Sequence, residues 1–411
     1  MTRFAEEQMS AAGQRAKNAA RLDVSKPLFF FAPSSSDSAE ASATGEHSGA
    51  RRSPMLIRAR SVLARHPFRW FYGLSLLLSL LLLVPFLLFA ADERIAEGFA
   101  RSGLAYRTDL ITAARVIWAV PATLPGFLLA FSQILAPDIM AFVVVALVFG
   151  RSGVRRLAGG YRLWNPSVPW RRGATVWLHC IFTFVGLSLI TALLHSVLLP
   201  TAQFEWSPPH LTLSFLGTLL VAMFLDIGGI AEETGWRGFA LPYLQSRFTP
   251  LRATLILGTL WGLWHLPLKA DWLSIGVGHA VLMLLLFTLR LTLLSVIMSY
   301  FYNRLGGSTL IAIAMHGLHN DSVQLQGIVD FDQLPVGQQF TVEGALTLPI
   351  AAVAAYLIWR TRSQLAYSPK EVPPEFTGNE ALQAQTPSSG AHVDLAHDSH
   401  SIEASHSRKG S

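Results

Sequence analysis

Charge is scarce in this sequence. Only 14% of its 411 residues are Asp, Glu, Lys or Arg, against ~25% in soluble domains. Mean hydropathy is +0.40. These values exclude a water-soluble enzyme and imply a polytopic protein whose solvent is the lipid bilayer. Cysteine is nearly absent: Cys180 stands alone, so no intrachain disulfide can form. No cleavable signal peptide is visible, because the first long apolar run starts near residue 70, behind a polar leader. No basic strip interleaved with stacking aromatics occurs, so nucleic acid is not an expected partner. The net charge of +6 comes largely from arginines beside apolar runs, where they set topology. His-Glu-x-x-His is also missing, which excludes a zinc protease of the soluble type.

What is present is a series of apolar runs separated by asymmetric charge. Residues 1–68 read as a disordered cytoplasmic leader, rich in Ser, Ala and Glu, that ends in a basic juxtamembrane segment (Arg51, Arg52, Arg58, Arg60, Arg65). Residues 69–361 read as an all-α transmembrane bundle of about eight helices, and residues 362–411 as a disordered cytoplasmic tail. The expected spans are 71–91, 126–150, 174–199, 211–245, 253–268, 277–303, 308–319 and 344–359. The stretch 151–172 carries six arginines and no acid, which places it and both termini in the cytoplasm. If the chain is bacterial, the membrane is the plasma membrane. The fourth run, some 30 residues long, would measure ~45–50 Å and must tilt, kink near Gly228-Gly229 or project.

Inside that fourth run lies Glu232-Glu233-Thr234-Gly235-Trp236-Arg237. A mid-membrane charge costs ~2.5–3.5 kcal/mol on insertion scales, so such residues are usually functional. Glu233 and Arg237 are four apart and can pair on one helix face. Glu232 points ~100° away, has no partner inside the motif, and is free for chemistry. Two further polar clusters sit on later apolar helices: Trp261 to His265, and His316 to Asn320. Glu232 and His265 are 265 − 232 = 33 residues apart, with the midpoint beside Pro250, where the turn is expected. Antiparallel helices joined there put both at one depth, and His316 falls at a similar depth. The expectation is one cavity, open toward the cytoplasmic side. A carboxylate and a histidine can take a proton from water. A second histidine and Asn320 can donate to a developing oxyanion. Glu232, His265 and His316 can instead hold zinc with an open fourth position.

Glu-Glu-x-x-x-Arg, aromatic-x-x-x-His and His-x-x-x-Asn, in this order on apolar helices, resemble the CAAX-processing and bacteriocin-processing (CPBP) family of intramembrane proteases, which includes the type II CAAX prenyl endopeptidases. The resemblance covers about residues 127–360, with its motif core at 211–321. It implies an endopeptidase acting on a membrane-anchored or prenylated peptide or protein. Glu232 would then be the base, His265 its partner on the water, His316 and Asn320 the oxyanion site, and Glu233 and Arg237 supporting residues. The resemblance admits both zinc and a metal-free glutamate mechanism. Where the family has Phe, this chain has Trp261, which narrows the pocket.

Other readings compete. A non-catalytic scaffold or immunity-type factor would retain the motif as structure, but would not need all four polar residues. An ion-coupled transporter also places Glu, His, Asp and Arg in the membrane, yet no internal repeat is visible. His319 reads as a helix-end residue. Asp226 and Arg290 are mid-span and can pair with each other or face the cavity. The tail histidines (His392, His397, His400, His406) are too irregular for a metal site.

Overall fold

A computed structural model describes residues 54–199, 204–206, 212–321, 325, 327–329 and 334–368. The expected disorder of the leader before 54 and of the tail beyond 368, most of the outer loop 200–210, and the acids Asp330 and Asp332 lie outside the described residues, as do the tail histidines.

The described chain is helical apart from a two-residue antiparallel ladder, Phe204–Glu205 (β1) against Ile328–Val329 (β2). Helices α1 (Pro54–Arg65) and α2 (Pro67–Leu88) open it. The buried face of α2 includes Phe71, Ser75 and Ser79, four residues apart. The two serines let α2 seat closely beside Phe71, and Ser79 Oγ accepts from Gln133 Nε2 at 2.6 Å. Its leucines, among them Leu81 and Leu87, are exposed on the other faces, as a lipid-facing helix requires. Among the described residues, five helices are long and apolar enough to cross a bilayer: α2, Ala136–Gly159 (α6), Trp170–Leu198 (α7), Val277–Arg304 (α12) and Val336–Arg360 (α14).

The remaining apolar runs are shorter or broken, and here the expected boundaries need correction. The run before residue 150 is divided into α3 (Ala91–Ser102), α4 (Leu110–Ala119), α5 (Leu124–Ile134) and α6. Pro121, Pro125 and Pro137 each stand in the first turn of an element, where a missing N–H costs nothing. The fourth run breaks at Asp226, two residues before the expected glycines. Helix α8 (Leu213–Leu225) ends there, and α9 (Ile227–Glu233) restarts with Asp226 as N-cap. A π-helical turn, Thr234–Ala240, leads into α10 (Leu241–Gln245). Helix α11 (Pro250–Trp264) stops short of the expected residue 268, because Pro267 disfavours continuation. A 3₁₀ stretch, Leu266–Ser274, connects it to α12, and α13 spans Thr309–Asn320.

Glycines set the closest approaches. A Cβ at Gly258 or Gly262 would lie 2.6 Å from Thr292 Cα or 2.9 Å from Thr288 Cα, so α11 rests on the α12 backbone. Gly229 faces the Ile313 carbonyl, and Gly317 faces that of Ala222, locking α8 and α9 against α13. Small-residue contacts of this kind drive helix association where there is no hydrophobic gradient between helices.

Candidate active site

The break at Asp226 begins the site. Its Oδ1 accepts from Gly229 N at 2.7 Å, capping α9. Oδ2 accepts from Thr108 Oγ1 at 2.6 Å, and Ile227 N donates to the Thr108 carbonyl at 2.9 Å. The segment before α4 thereby supplies partners that a broken helix leaves unmet. Arg107 clamps the same segment to the end of α13, with Nε 3.0 Å from Asp321 Oδ1 and a second contact to Asp109 at 3.1 Å. Burial pushes the Asp321 carboxyl up to about 6, and the Arg107 guanidinium pulls it the other way. Asp226 therefore does not pair with Arg290. Arg290 instead bonds Glu343, Nε to Oε2 at 3.0 Å, and meets His319 Nε2 at 2.9 Å.

Six residues after the cap, α9 carries Glu232 and Glu233 to different surroundings. The expected Glu233–Arg237 pair is present at 2.7 Å, fully buried. The same Glu233 oxygen receives His316 Nδ1, also at 2.7 Å. Arg237 further donates to Ser295 Oγ at 3.0 Å and lies 4.2 Å over the Trp261 ring. Glu232 corrects the expectation that it lacks a partner. Trp236 Nε1, inside the motif, donates to its Oε2 at 3.3 Å, and Trp261 Nε1 donates to the same oxygen at 2.8 Å. Both indoles fall on Oε2, so Oε1 is left to the cavity. The π-helical turn that holds Trp236 is anchored from α6, where Asp138 Oδ1 accepts from Gly235 N at 2.7 Å.

His265 is the C-cap of α11. Its Nδ1 sits 2.8 Å from the Trp261 carbonyl. A carbonyl only accepts, so Nδ1 carries the proton and neutral His265 has its lone pair on Nε2. His316 Nε2 and Asn320 Nδ2 approach one point: each lies 2.9 Å from where a Cβ on Gly228 would stand. Asn320 is oriented by a 3.3 Å bond to Asp226 Oδ1.

Glu232, His265, His316 and Asn320 all line one cavity of about 460 Å³. Glu233 and Arg237 lie behind it. His319, Arg290, Lys269 and Arg107 are also on its wall, together with an apolar side that includes Phe86, Phe99, Phe127, Phe131 and Phe287. The direction of the cavity differs from expectation. It is bounded by Phe86 at the far end of α2, by Asp92 and by the 106–108 segment, so it lies toward the end of the bundle opposite the arginine-rich loops. The reason is the short α11, which puts His265 at its last turn and not at mid-depth. Zinc does not fit these residues. Among the described residues no three His, Cys, Asp or Glu side chains converge as a ligand set, and the Glu232 oxygen meets two N–H donors suited to an anion's lone pairs.

Residues 208–321 match the family model described as Type II CAAX prenyl endopeptidase Rce1-like. Over 228 residues the chain is 26% identical to CAAX prenyl protease 2 of Methanococcus maripaludis, covering 53% of this chain and 82% of that protein. Both matches support the resemblance that the three motifs carry, to CAAX-type proteases of the CPBP family. The apolar helices and these matches support an integral membrane protein with a protease-type core. The matched segment holds all four polar cavity residues, while Thr108, Arg107, Asp138 and Glu343 stand outside it. Sequence reading missed Asp226 as a cap, although Asp followed by Gly-Gly within an apolar run is a helix-restart signal. It also missed the two indoles, for which residue type alone offers no direction.

Proposed function

We propose that this chain is an endopeptidase in which Glu232 and His265 activate water and His316 and Asn320 stabilise the oxyanion. A water between Glu232 Oε1 and His265 Nε2 has both hydrogens accepted, which leaves an oxygen lone pair to attack a peptide carbonyl. The base takes the proton and returns it to the leaving amine. The carbonyl oxygen moves into the gap beside Gly228, where Asn320 Nδ2 and protonated His316 Nε2 donate to it. Glu233, held by Arg237, orients His316 through Nδ1. The observation that carries this reading is the convergence of four polar residues, from three separated helices, on one cavity. The substrate is a membrane-anchored peptide, and the relative's name together with the aromatic wall supports a prenylated C-terminus. Both termini face the cytoplasm, as the arginine distribution supports.

The test compares membranes carrying wild-type, Glu232→Gln or His265→Ala protein at matched levels, with farnesylated and unprenylated peptides. Loss of cleavage by ~10²–10⁴ is expected for each variant, with preference for the farnesylated peptide in the wild type. Cleavage at the wild-type rate by both variants would overturn the assignment.

A further inference from the structure

A second cavity, of about 90 Å³, lies at the arginine-rich end of the bundle. One water needs ~10–15 Å³ by this measure, so there is room for several waters or a group the size of phosphate. Its wall is built from the end of α6 and the turn after it, the π-helical turn with α10, the end of α12, the start of α13 and the segment at 367–368. Three buried polar atoms on that wall have no partner among the described residues: Arg162 Nε, Gln245 Nε2 and Thr309 Oγ1. Gln245 and Thr309 are only 5% and 1% exposed. Arg156 brings a second positive charge to the lining. The N-terminus of α13, a helix of 12 residues, meets the cavity at Thr309, adding the positive end of its dipole.

Among the described residues, no carboxylate lines this cavity. The stretches that supply the wall, 139–204, 234–270, 272–320 and 344–370, contain no Asp or Glu at all. Buried donors are normally satisfied, and here the described residues gather cations and N–H groups with no anion among them.

We propose that this cavity is a binding site for a phosphate group. A lipid headgroup is the source the surroundings favour. The cavity sits among the basic loops, and Trp170 and Trp359 at that end are 67% and 74% exposed, matching a headgroup-level aromatic belt. Occupancy would tie the Arg162 turn to Gly238 in the π-helical turn and to the start of α13. The π-helical turn follows Glu232 and the start of α13 precedes His316, so the site would brace both of their helices from the opposite end.

The experiment uses purified full-length protein in uncharged detergent. Three probes are titrated: phosphatidylglycerol, a galactosyl diacylglycerol that lacks phosphate, and inorganic phosphate against chloride at equal ionic strength. Bound lipid is counted by native mass spectrometry, and the unfolding midpoint is followed. One saturable phosphatidylglycerol per chain is expected, with a raised midpoint, and no retained glycolipid. Arg162→Gln should weaken binding about tenfold or more, as loss of a charge-assisted bond implies. Thr309→Val, nearly isosteric and without charge change, should weaken it while keeping the lipid-free midpoint. A response to inorganic phosphate alone keeps the phosphate assignment and moves its source to solution. Equal retention of both lipids, undiminished binding in both variants, or no response to any probe overturns the proposal.

Discussion

At the level of single residues, the two adjacent glutamates separate by their partners. Glu233 joins Arg237 and His316 in a buried network, and breaking a buried pair costs ~3–5 kcal/mol because it leaves a lone charge. Glu233→Gln is therefore expected to lower the melting temperature in detergent and activity together. Glu232 receives two neutral indole donors on one oxygen, which a glutamine carbonyl also satisfies. Glu232→Gln should keep the melting temperature while abolishing cleavage. A stable but inactive Glu233→Gln beside a fully active Glu232→Gln would reverse these roles. Gly228 supplies a third test. Its added methyl would stand 2.9 Å from both His316 Nε2 and Asn320 Nδ2, inside the proposed oxyanion gap. Gly228→Ala is expected to lower kcat by ~10²-fold or more, in the range seen when an oxyanion donor is lost, with KM changed little. Wild-type kcat in a purified Gly228→Ala protein would place the oxyanion elsewhere.

Among elements, the interrupted fourth run is what makes a site possible. A continuous helix would present Glu232 with its backbone satisfied and no room for the 106–108 segment. The break at Asp226 admits Thr108, and the π-helical turn directs Trp236 toward Glu232 four residues earlier. π-turns recur at functional sites for this reason: an extra residue per turn re-aims side chains. The α11–α12 contact holds Trp261 and His265 in place through Gly258 and Gly262. Gly258→Ala would press a methyl to 2.6 Å from the Thr292 Cα, and overpacking of this kind costs ~1–3 kcal/mol. A fall in melting temperature, with cleavage per folded molecule reduced, is expected; an unchanged melting temperature would show that the helices can part freely.

For the whole molecule, charge asymmetry and cavity position combine into a topological prediction. Reporter fusions after residue 160 and after residue 380 should both report cytoplasm. The polar cavity would then open toward the other side of the membrane. An external signal at 160 would invert the bundle and bring the cavity to the cytoplasmic face.

The sequence by itself determined the helical membrane fold, the family resemblance and the four polar residues that meet. Each of these rests on local quantities: scarce charge, apolar run length, and i,i+4 spacing on a helix. It also located the Glu233–Arg237 pair, which a single turn of helix decides. Tertiary structure alone decided that Asp226 is a cap and that Arg290 belongs to Glu343, 53 residues away. It decided too that Trp261 and Trp236 share one Glu232 oxygen, and that the cavity lies away from the arginine-rich loops. Those outcomes depend on where helices stop and which glycines let backbones touch. Hydropathy averages over both, because a broken helix and a continuous one have the same apolar composition.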